Sequence, residues 1–239
     1  MKAMILAAGM GTRLGKLTTE KPKALVEVNG KPMLVHALEY LKSSGIKEIV
    51  INIHHFGEQI IDFLNQKNNF GIHITVSDER NELLDTGGGL MKASWFFDDG
   101  NPFLVYNVDI LTKTDITKLL QHHKKNKALA TLVVKKRETS RFFLVDDKNL
   151  LCGWVNKRTD EKIITRKSKS FAEVAFSGIQ IIDPAIFQLC KKNGRFSLPQ
   201  MYLELASHFK IVVYYDEALW YDLGKPENIA KAENKFFII

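Results

Sequence analysis

The stretch "GMGTRLGKLTTEKPK", Gly9 to Lys23, follows the apolar run "KAMILAA" and places one arginine and three lysines among three glycines. Glycine-rich turns after a buried strand let backbone N–H groups approach phosphate oxygens. A guanidinium adds a planar fork that matches two phosphate oxygens at once. The residue types therefore point to a bound phosphate, and the spacing limits which one.

A Walker A loop needs glycine five residues before a Gly-Lys pair, then Ser or Thr. Gly15-Lys16 has Met10 at that distance and is followed by Leu17, so the pattern fails twice. A dinucleotide fingerprint needs G-x-G-x-x-G. Gly9 and Gly11 fit it, but the third place is Leu14, and the cations go unexplained. Nucleotidyl transfer accounts for them. Arg13 is expected to clamp the β- and γ-phosphates of a nucleoside triphosphate. Lys23, beside Pro22, is expected to return to the α-phosphate. Phosphorus under attack gains equatorial charge in the transition state, so fixed cations there speed transfer.

These groups need a scaffold. "KAMILAA" reads as a buried strand, "ALVEV" (Ala24–Val28) as a second, and Asn29-Gly30 as a turn. Pro32 opens a helix whose apolar residues are Met33, Leu34, Ala37, Leu38 and Leu41, and Gly45 ends it. "EIVINI", "GIHITVSD", "NPFLVYNVD" and "ALATLVVKK" read as strands. "GEQIIDFLNQ", "TGGGLMKASWFF" and "DITKLLQHHKKN" read as helices, with Asp115 as a first-turn acid. This alternation to about residue 135 predicts an α/β fold: a three-layer, Rossmann-like, mixed and mostly parallel sheet with right-handed crossovers. Ligands bind such sheets at the carboxyl ends of the strands. From about 136 to 182 the strands "RFFLVDD", "NLLCGWVN", "KIITRK" and "EVAFSGIQIID" predict an antiparallel β extension. "PAIFQLCKKNG" and "YLELASHF" read as helices, "KIVVYYDE" and "LWYDLG" as strands, and a last helix starts near Pro226.

The opening "MKAMILAAGMGTRLGKLTTEKPKALVEVNGKPML" resembles that of the sugar-1-phosphate nucleotidyltransferases. The matching pieces are Leu6 to Leu14, Lys21 to Lys23 and Gly30 to Pro32; the likeness continues in "LLDTGGGL", "FLVYNVDI", "AFSGIQIIDPAIF" and "WYDLGKPENI". The resemblance implies a single domain over 1–239, with an NTP-binding half (1–135) and a sugar-binding half (136–239). It is similar to the short forms without a hexapeptide-repeat extension, such as N-acetylmuramate 1-phosphate uridylyltransferases and heptose or mannose 1-phosphate guanylyltransferases. It implies that NTP and a sugar 1-phosphate become NDP-sugar and pyrophosphate with Mg²⁺, UTP being favoured over GTP or CTP. Asp109 in "YNVD" and Asp222 in "WYDLGKP" are the implied metal ligands, and Arg13 and Lys23 the catalytic cations. Leu6, Ala7, Ala8, Gly9, Gly11, Thr12, Arg13, Asp85, Gly87 and Gly88 are implied at the nucleotide; Asn107, Glu173 and Gly178 are implied at the sugar phosphate.

Three departures stand out. Asp85 replaces a usual glycine, and either accepts a hydrogen bond from base or ribose or caps the helix. Val108 replaces the glycine of N-G-D and is expected to crowd the sugar side. The Glu-Lys-Pro sugar stretch is absent, and "IITRKSKS" offers Arg166 or Lys167 to the sugar phosphate, or to solvent.

Composition excludes several other classes. The chain has 239 residues, 45% hydrophobic and 26% charged, enough for a sizeable core. Cys152 and Cys190 lie far apart and read as reduced core thiols. A net charge of +7 fits nucleic-acid binding or a polyanion pocket, but the basic residues are scattered without a tail, which disfavours nucleic acid. No apolar run approaches the ~20 residues of a membrane span, so a cytoplasmic, soluble monomer or small homo-oligomer is expected. Adjacent histidines, His54-His55 and His122-His123, point apart and lack a third ligand, so they are not read as a metal site. A rival of another class is a non-catalytic regulatory protein that binds nucleotide sugars. Loss of Arg13, Lys23, Asp109 or Asp222 would favour it, and all four are present.

Overall fold

The computed structural model describes residues 1–237; positions 238 and 239 of the expected sugar side lie outside them. The strands are β1 (Ala3–Leu6), β2 (Glu27–Val28), β3 (Lys31–Pro32), β4 (Glu48–Ile53), β5 (His73–Asp78), β6 (Phe103–Asn107), β7 (Ile110–Thr112), β8 (Ala130–Lys135), β9 (Arg141–Val145), β10 (Leu151–Asn156), β11 (Glu161–Ile164), β12 (Ala172–Ile182), β13 (Ile211–Tyr215) and β14 (Trp220–Asp222). The helices are α1 (Met33–Ser43), α2 (Gly57–Gln66), α3 (Asp85–Lys92), α4 (Ile116–Asn126), α5 (Ile186–Leu189), α6 (Leu198–Ala206) and α7 (Pro226–Lys235).

β6, β1, β4 and β5 lie side by side and parallel. β12 adds antiparallel to β6 and β8, and β13 runs parallel to β8. β9, β10 and β11 continue from β12 as the antiparallel extension. The period of two along β1 sorts its side chains. Ala3 and Ile5 pack on one face with Leu34 and Leu38 of α1; Met4 and Leu6 pack on the other with Met201 and Tyr202 of α6. The sheet is thus the middle of three layers, as its apolar strands predict.

Several segments differ from the sequence expectation. Only Glu27–Val28 of "ALVEV" is strand. Pro22 is extended, and Lys23–Leu25 form one tight turn closed by Leu25 N–H to the Pro22 carbonyl at 2.9 Å. That turn is what aims Lys23 back at the sheet. Pro32 precedes α1 instead of starting it. Asp115 caps α4 from just outside, accepting from the Lys118 N–H at 3.0 Å. The helix after Pro184 is a single turn, because Cys190 is already extended and Gly194 turns at φ +71°.

The glycine run of α3 has a packing reason. Three glycines cost a helix roughly 1 kcal/mol each relative to alanine. Here a Cβ at Gly88 would stand 2.2 Å from the Gly194 carbonyl oxygen, and one at Gly87 2.5 Å from the Phe196 ring. The helix therefore lies flush on the 194–196 loop.

Two devices position the strand ends. One is a small third core: Leu14, Val26, Val28, Met33, Leu111, Leu223 and Ala232. It ties the loop bearing Arg13 to β7, β14 and α7. The other is a buried polar strut. The Ala7 N–H donates to Asn52 Oδ1 at 2.8 Å, and Asn52 Nδ2 donates to Glu79 Oε1 at 2.7 Å. Glu79 Oε2 accepts from the Leu84 N–H at 3.2 Å. Burial pushes the Glu79 carboxyl up from its ordinary range, and the Asn52 and Leu84 hydrogen bonds pull it down. The strut joins the end of β1 to the entry of α3 through β4.

Leu14→Ala should cost about 3 kcal/mol by opening a cavity in the third core. Asn52→Leu orphans the Ala7 N–H and leaves Glu79 short of a donor, and should cost about 2 kcal/mol. Urea denaturation midpoints measure both. An unchanged midpoint in either variant would remove that contact from the positioning scheme.

Candidate active site

β1, β4 and β6 end level with one another: Leu6 stands in register with Asn52 on one side and Asn107 on the other. A cavity of about 340 Å³ opens past these ends. Leu6, Ala8 and Gly9 line it from the end of β1 and the turn after it, Asn107, Val108 and Asp109 from the end of β6 and the turn after it, and Asp85 and Thr86 from α3. Arg13 and Lys23 enter from the loop, and Arg195 from the segment before α6.

The loop reaches its shape through Gly11, at φ +68°. A Cβ there would meet Thr18 Cγ2 at 2.9 Å and Lys23 Cβ at 3.0 Å, so only glycine lets the loop fold onto Lys23. The Thr18 hydroxyl locks the turn by donating to the Gly11 carbonyl at 3.1 Å. Ala7 is buried beneath it and Thr12 is exposed.

The two acids meet across a short antiparallel ladder. β14 pairs with β7, setting Asp222 opposite Ile110, and the Leu223 N–H donates to the Asp109 carbonyl at 2.8 Å. A Cβ at Gly224 would stand 2.8 Å from Asp222 Oδ1 and 3.0 Å from Asp109 Oδ2, so both carboxylates face one small space. Cations lie against them. Lys23 pairs with Asp109, both side chains nearly buried. Arg13 bridges, with Nη2 3.8 Å from Asp109 Oδ2 and Nη1 3.9 Å from Asp222 Oδ2.

This donor set suits a hard divalent cation. Two carboxylates converge, and among the described residues no group of three or more His, Cys, Asp or Glu forms a closed cage. Magnesium is held by one or two carboxylates while phosphate oxygens and water complete its shell. Breaking such a buried pair on one side strands the other charge, at a cost of about 3–5 kcal/mol.

Several expected site residues stand elsewhere. Gly87 and Gly88 do not line the cavity; their N–H groups donate to the Phe196 carbonyl at 2.9 and 3.1 Å. Glu173 pairs with Lys157 on an exposed face of the extension, away from the cavity. Arg166 is turned from the site, with Nη2 donating to the Ala206 and Phe209 carbonyls at 2.7 and 3.3 Å, where it satisfies the end of α6. Lys167 is exposed and lines no cavity with Arg13. Gly178 sits at a bulge of β12, where a Cβ would stand 2.9 Å from Asn107 Nδ2. Val108 is buried in the core while touching the cavity. Asp85 lines the cavity as the first residue of α3 and accepts from the Thr86 N–H at 2.5 Å; the helix has no side-chain cap hydrogen bond.

Asn52, Thr86 and Arg195 line the cavity but were not singled out from sequence. Asn52 had a signal, being the polar interruption of the apolar run "IVINI". Arg195 had none, since it falls between the helices read at "PAIFQLCKKNG" and "YLELASHF". The histidines serve packing: the His54 ring meets the Glu79 carbonyl at 2.7 Å, and His123 Nδ1 meets Thr131 Oγ1 at 2.9 Å. Burial pulls His123 down to about 4.

Comparison with known proteins places the chain among nucleotidyltransferases. A mannose-1-phosphate guanyltransferase of Yarrowia lipolytica is 32% identical over 234 residues, which are 95% of this chain and 62% of that protein. The chain thus spans less than two thirds of that relative's length. An N-acetylmuramate alpha-1-phosphate uridylyltransferase of Caulobacter vibrioides is 30% identical over 237 residues, covering 97% of this chain and 95% of that protein. The crystal structure of HddC from Yersinia pseudotuberculosis complexed with GMP-PN has a TM-score of 0.77 and 25% identity, covering 98% of this chain and 99% of that one. A family model, Nucleotidyl transferase, matches residues 2–237, and the chain belongs to that family.

Proposed function

We propose that this chain makes an NDP-sugar and pyrophosphate from a nucleoside triphosphate and a sugar 1-phosphate. The observation that carries this reading is the meeting of Asp109, Asp222, Arg13 and Lys23 in one space at the strand ends. Residues 1–135 supply the nucleotide side and 136–239 the sugar side of a single working unit. We read it as a cytoplasmic monomer or small homo-oligomer; among the described residues no helix is long and apolar enough to cross a membrane.

A sugar phosphate oxygen attacks the α-phosphorus in line. A new P–O bond forms as the bond to the pyrophosphate oxygen breaks. The attacking phosphate is already ionised, so no general base is needed. Lys23 holds the α-phosphate, and its nearly buried ammonium is worth more there than in water. Arg13, more than half exposed, forks onto the departing pyrophosphate. Asp109 and Asp222 would hold Mg²⁺, which would supply neutralisation of charge on the reacting phosphates. Asn107 orients the acceptor beside them.

The base reading is UTP. Asp85 is an acceptor in the cavity lining, suited to the imide N–H of uracil. The near end-to-end match with the Caulobacter relative supports this. A GTP reading has its own support, since guanine also offers N–H donors and the HddC crystal holds GMP-PN.

The test is pyrophosphate release from four NTPs against a panel of sugar 1-phosphates, with Mg²⁺ present or chelated. Turnover is expected with UTP and is lost on chelation; a purine preference would replace UTP with GTP, and silence across the whole panel would reject the enzyme reading. Asp109→Asn and Asp222→Asn should each lower kcat by about 10²-fold or more. Wild-type rates in a folded variant would remove that residue from the metal site.

A further inference from the structure

A second cavity, of about 700 Å³, adjoins the first and shares Arg13 with it. Its charges are lopsided. Arg13, Arg137, Arg141, Arg158 and Lys225 face it, against Glu138 and Asp222. Asp222 is already engaged with Arg13, and Lys225 has Glu227 at 3.7 Å. Among the described residues, Arg137, Arg141 and Arg158 form no salt bridge.

Arg137 is the best-built of the three. It leaves the end of β8 and lies over the Trp220 ring, its guanidinium carbon 5.0 Å from the ring centre. Nη2 donates to the Phe176 carbonyl at 3.0 Å. Its Nε is buried and has no hydrogen-bond partner. A buried unsatisfied donor on a cation is costly, and a planar two-oxygen anion is the group that satisfies a guanidinium edge. Burial and the neighbouring Arg13 both pull the Arg137 pKa down, with burial the larger cause, and Asp222 pulls it up; an incoming anion would favour the charged form.

Arg141 starts β9 opposite Asn156, and Arg158 lies two residues past Asn156 in the following turn, so the antiparallel extension delivers both to the same wall. Phe143, Phe176 and Trp154 add apolar surface for a ring. The proposed transfer calls for Arg13 and Lys23 at the nucleotide and one phosphate on the acceptor. Three further guanidinium groups exceed what a neutral sugar body needs, since its hydroxyls are met as well by carboxylates and amides.

We propose that the acceptor carries a second anionic group, a carboxylate or a second phosphate, away from the attacking phosphate, and that Arg137, Arg141 and Arg158 bind it. This rests on the nucleotidyltransferase reading and narrows its substrate class.

The test is an acceptor panel in matched sets. Hexose and N-acetylhexosamine 1-phosphates are compared with neutral bodies, with a carboxylate (6-carboxylate or 3-O-lactyl ether) and with a second phosphate at the 6-position. At least a tenfold higher kcat/KM is expected for an anionic body over its neutral parent. Whether carboxylate or phosphate wins identifies the group. Arg158→Gln and Arg141→Gln, both at exposed positions, should erase most of that advantage and leave the KM for NTP unchanged. Arg137→Gln should do the same if it keeps a wild-type melting temperature, and the exposed variants decide the matter if it does not. Neutral bodies turned over as fast as anionic ones would overturn the inference while leaving the transferase reading intact. An equal rise in NTP KM with every acceptor would also overturn it, assigning the cluster to the triphosphate. No turnover with any acceptor rejects both readings.

Discussion

The site depends on holding two carboxylates against one small space. At 4 Å, two like charges repel by about 4 kcal/mol at the effective dielectric of a protein surface. Asp109 and Asp222 tolerate this closeness because Lys23 and Arg13 stand on them. The backbone enforces the arrangement from both sides. β6 ends at Asn107 and β7 begins at Ile110, leaving Asp109 in the turn between them; β14 ends on Asp222, and the Leu223 N–H ties the two turns together. Gly224 completes the constraint, because any side chain there would occupy the shared space.

The rest of the scaffold can be understood as support for that meeting. Leu14 buries next to Arg13 and packs with Leu111 and Leu223, the neighbours of the two acids. Loop, acids and last helix therefore share one packed core. On the opposite side, the Asn52–Glu79 strut sets the distance between the phosphate loop and α3. Hydrophobic packing fixes the charged side of the cavity, while buried hydrogen bonds fix the side of Asn52 and α3. The antiparallel extension is a separate contribution. It builds the wall of the second cavity and brings three guanidinium groups that do not pair with Asp109 or Asp222.

Much of this was legible before any coordinates. The parallel strands announced themselves by short apolar runs, and Asn29-Gly30 marked a turn by local chemistry alone; Asp115 was read one position too far in, as a first-turn acid. Arg13, Lys23, Asp109 and Asp222 were named from motifs, and the fold brings them together. The misreadings have a common physical origin. The glycines of α3 were read for a nucleotide contact alone, and sequence did not show that their missing side chains admit Gly194 and Phe196. Arg166 looked free for a phosphate, but helix-end carbonyls at Ala206 and Phe209 claim it. "PAIFQLCKKNG" kept helical composition, yet the flush packing of α3 on the 194–196 loop leaves it room for one turn. Each error concerns a partner far away in the chain.

By itself the sequence determined what short-range forces decide: strand and helix periods, the φ demands of single glycines, and the exclusion of a Walker A loop by spacing. It also set the kind of chemistry, since that follows from residue types. The tertiary structure decided who faces whom. The convergence of Asp109 with Asp222, the burial of Lys23, the strut through Asn52 and the orphaned Nε of Arg137 all arise from contacts between segments remote in sequence. Such contacts are set by how layers pack, and no local pattern records them.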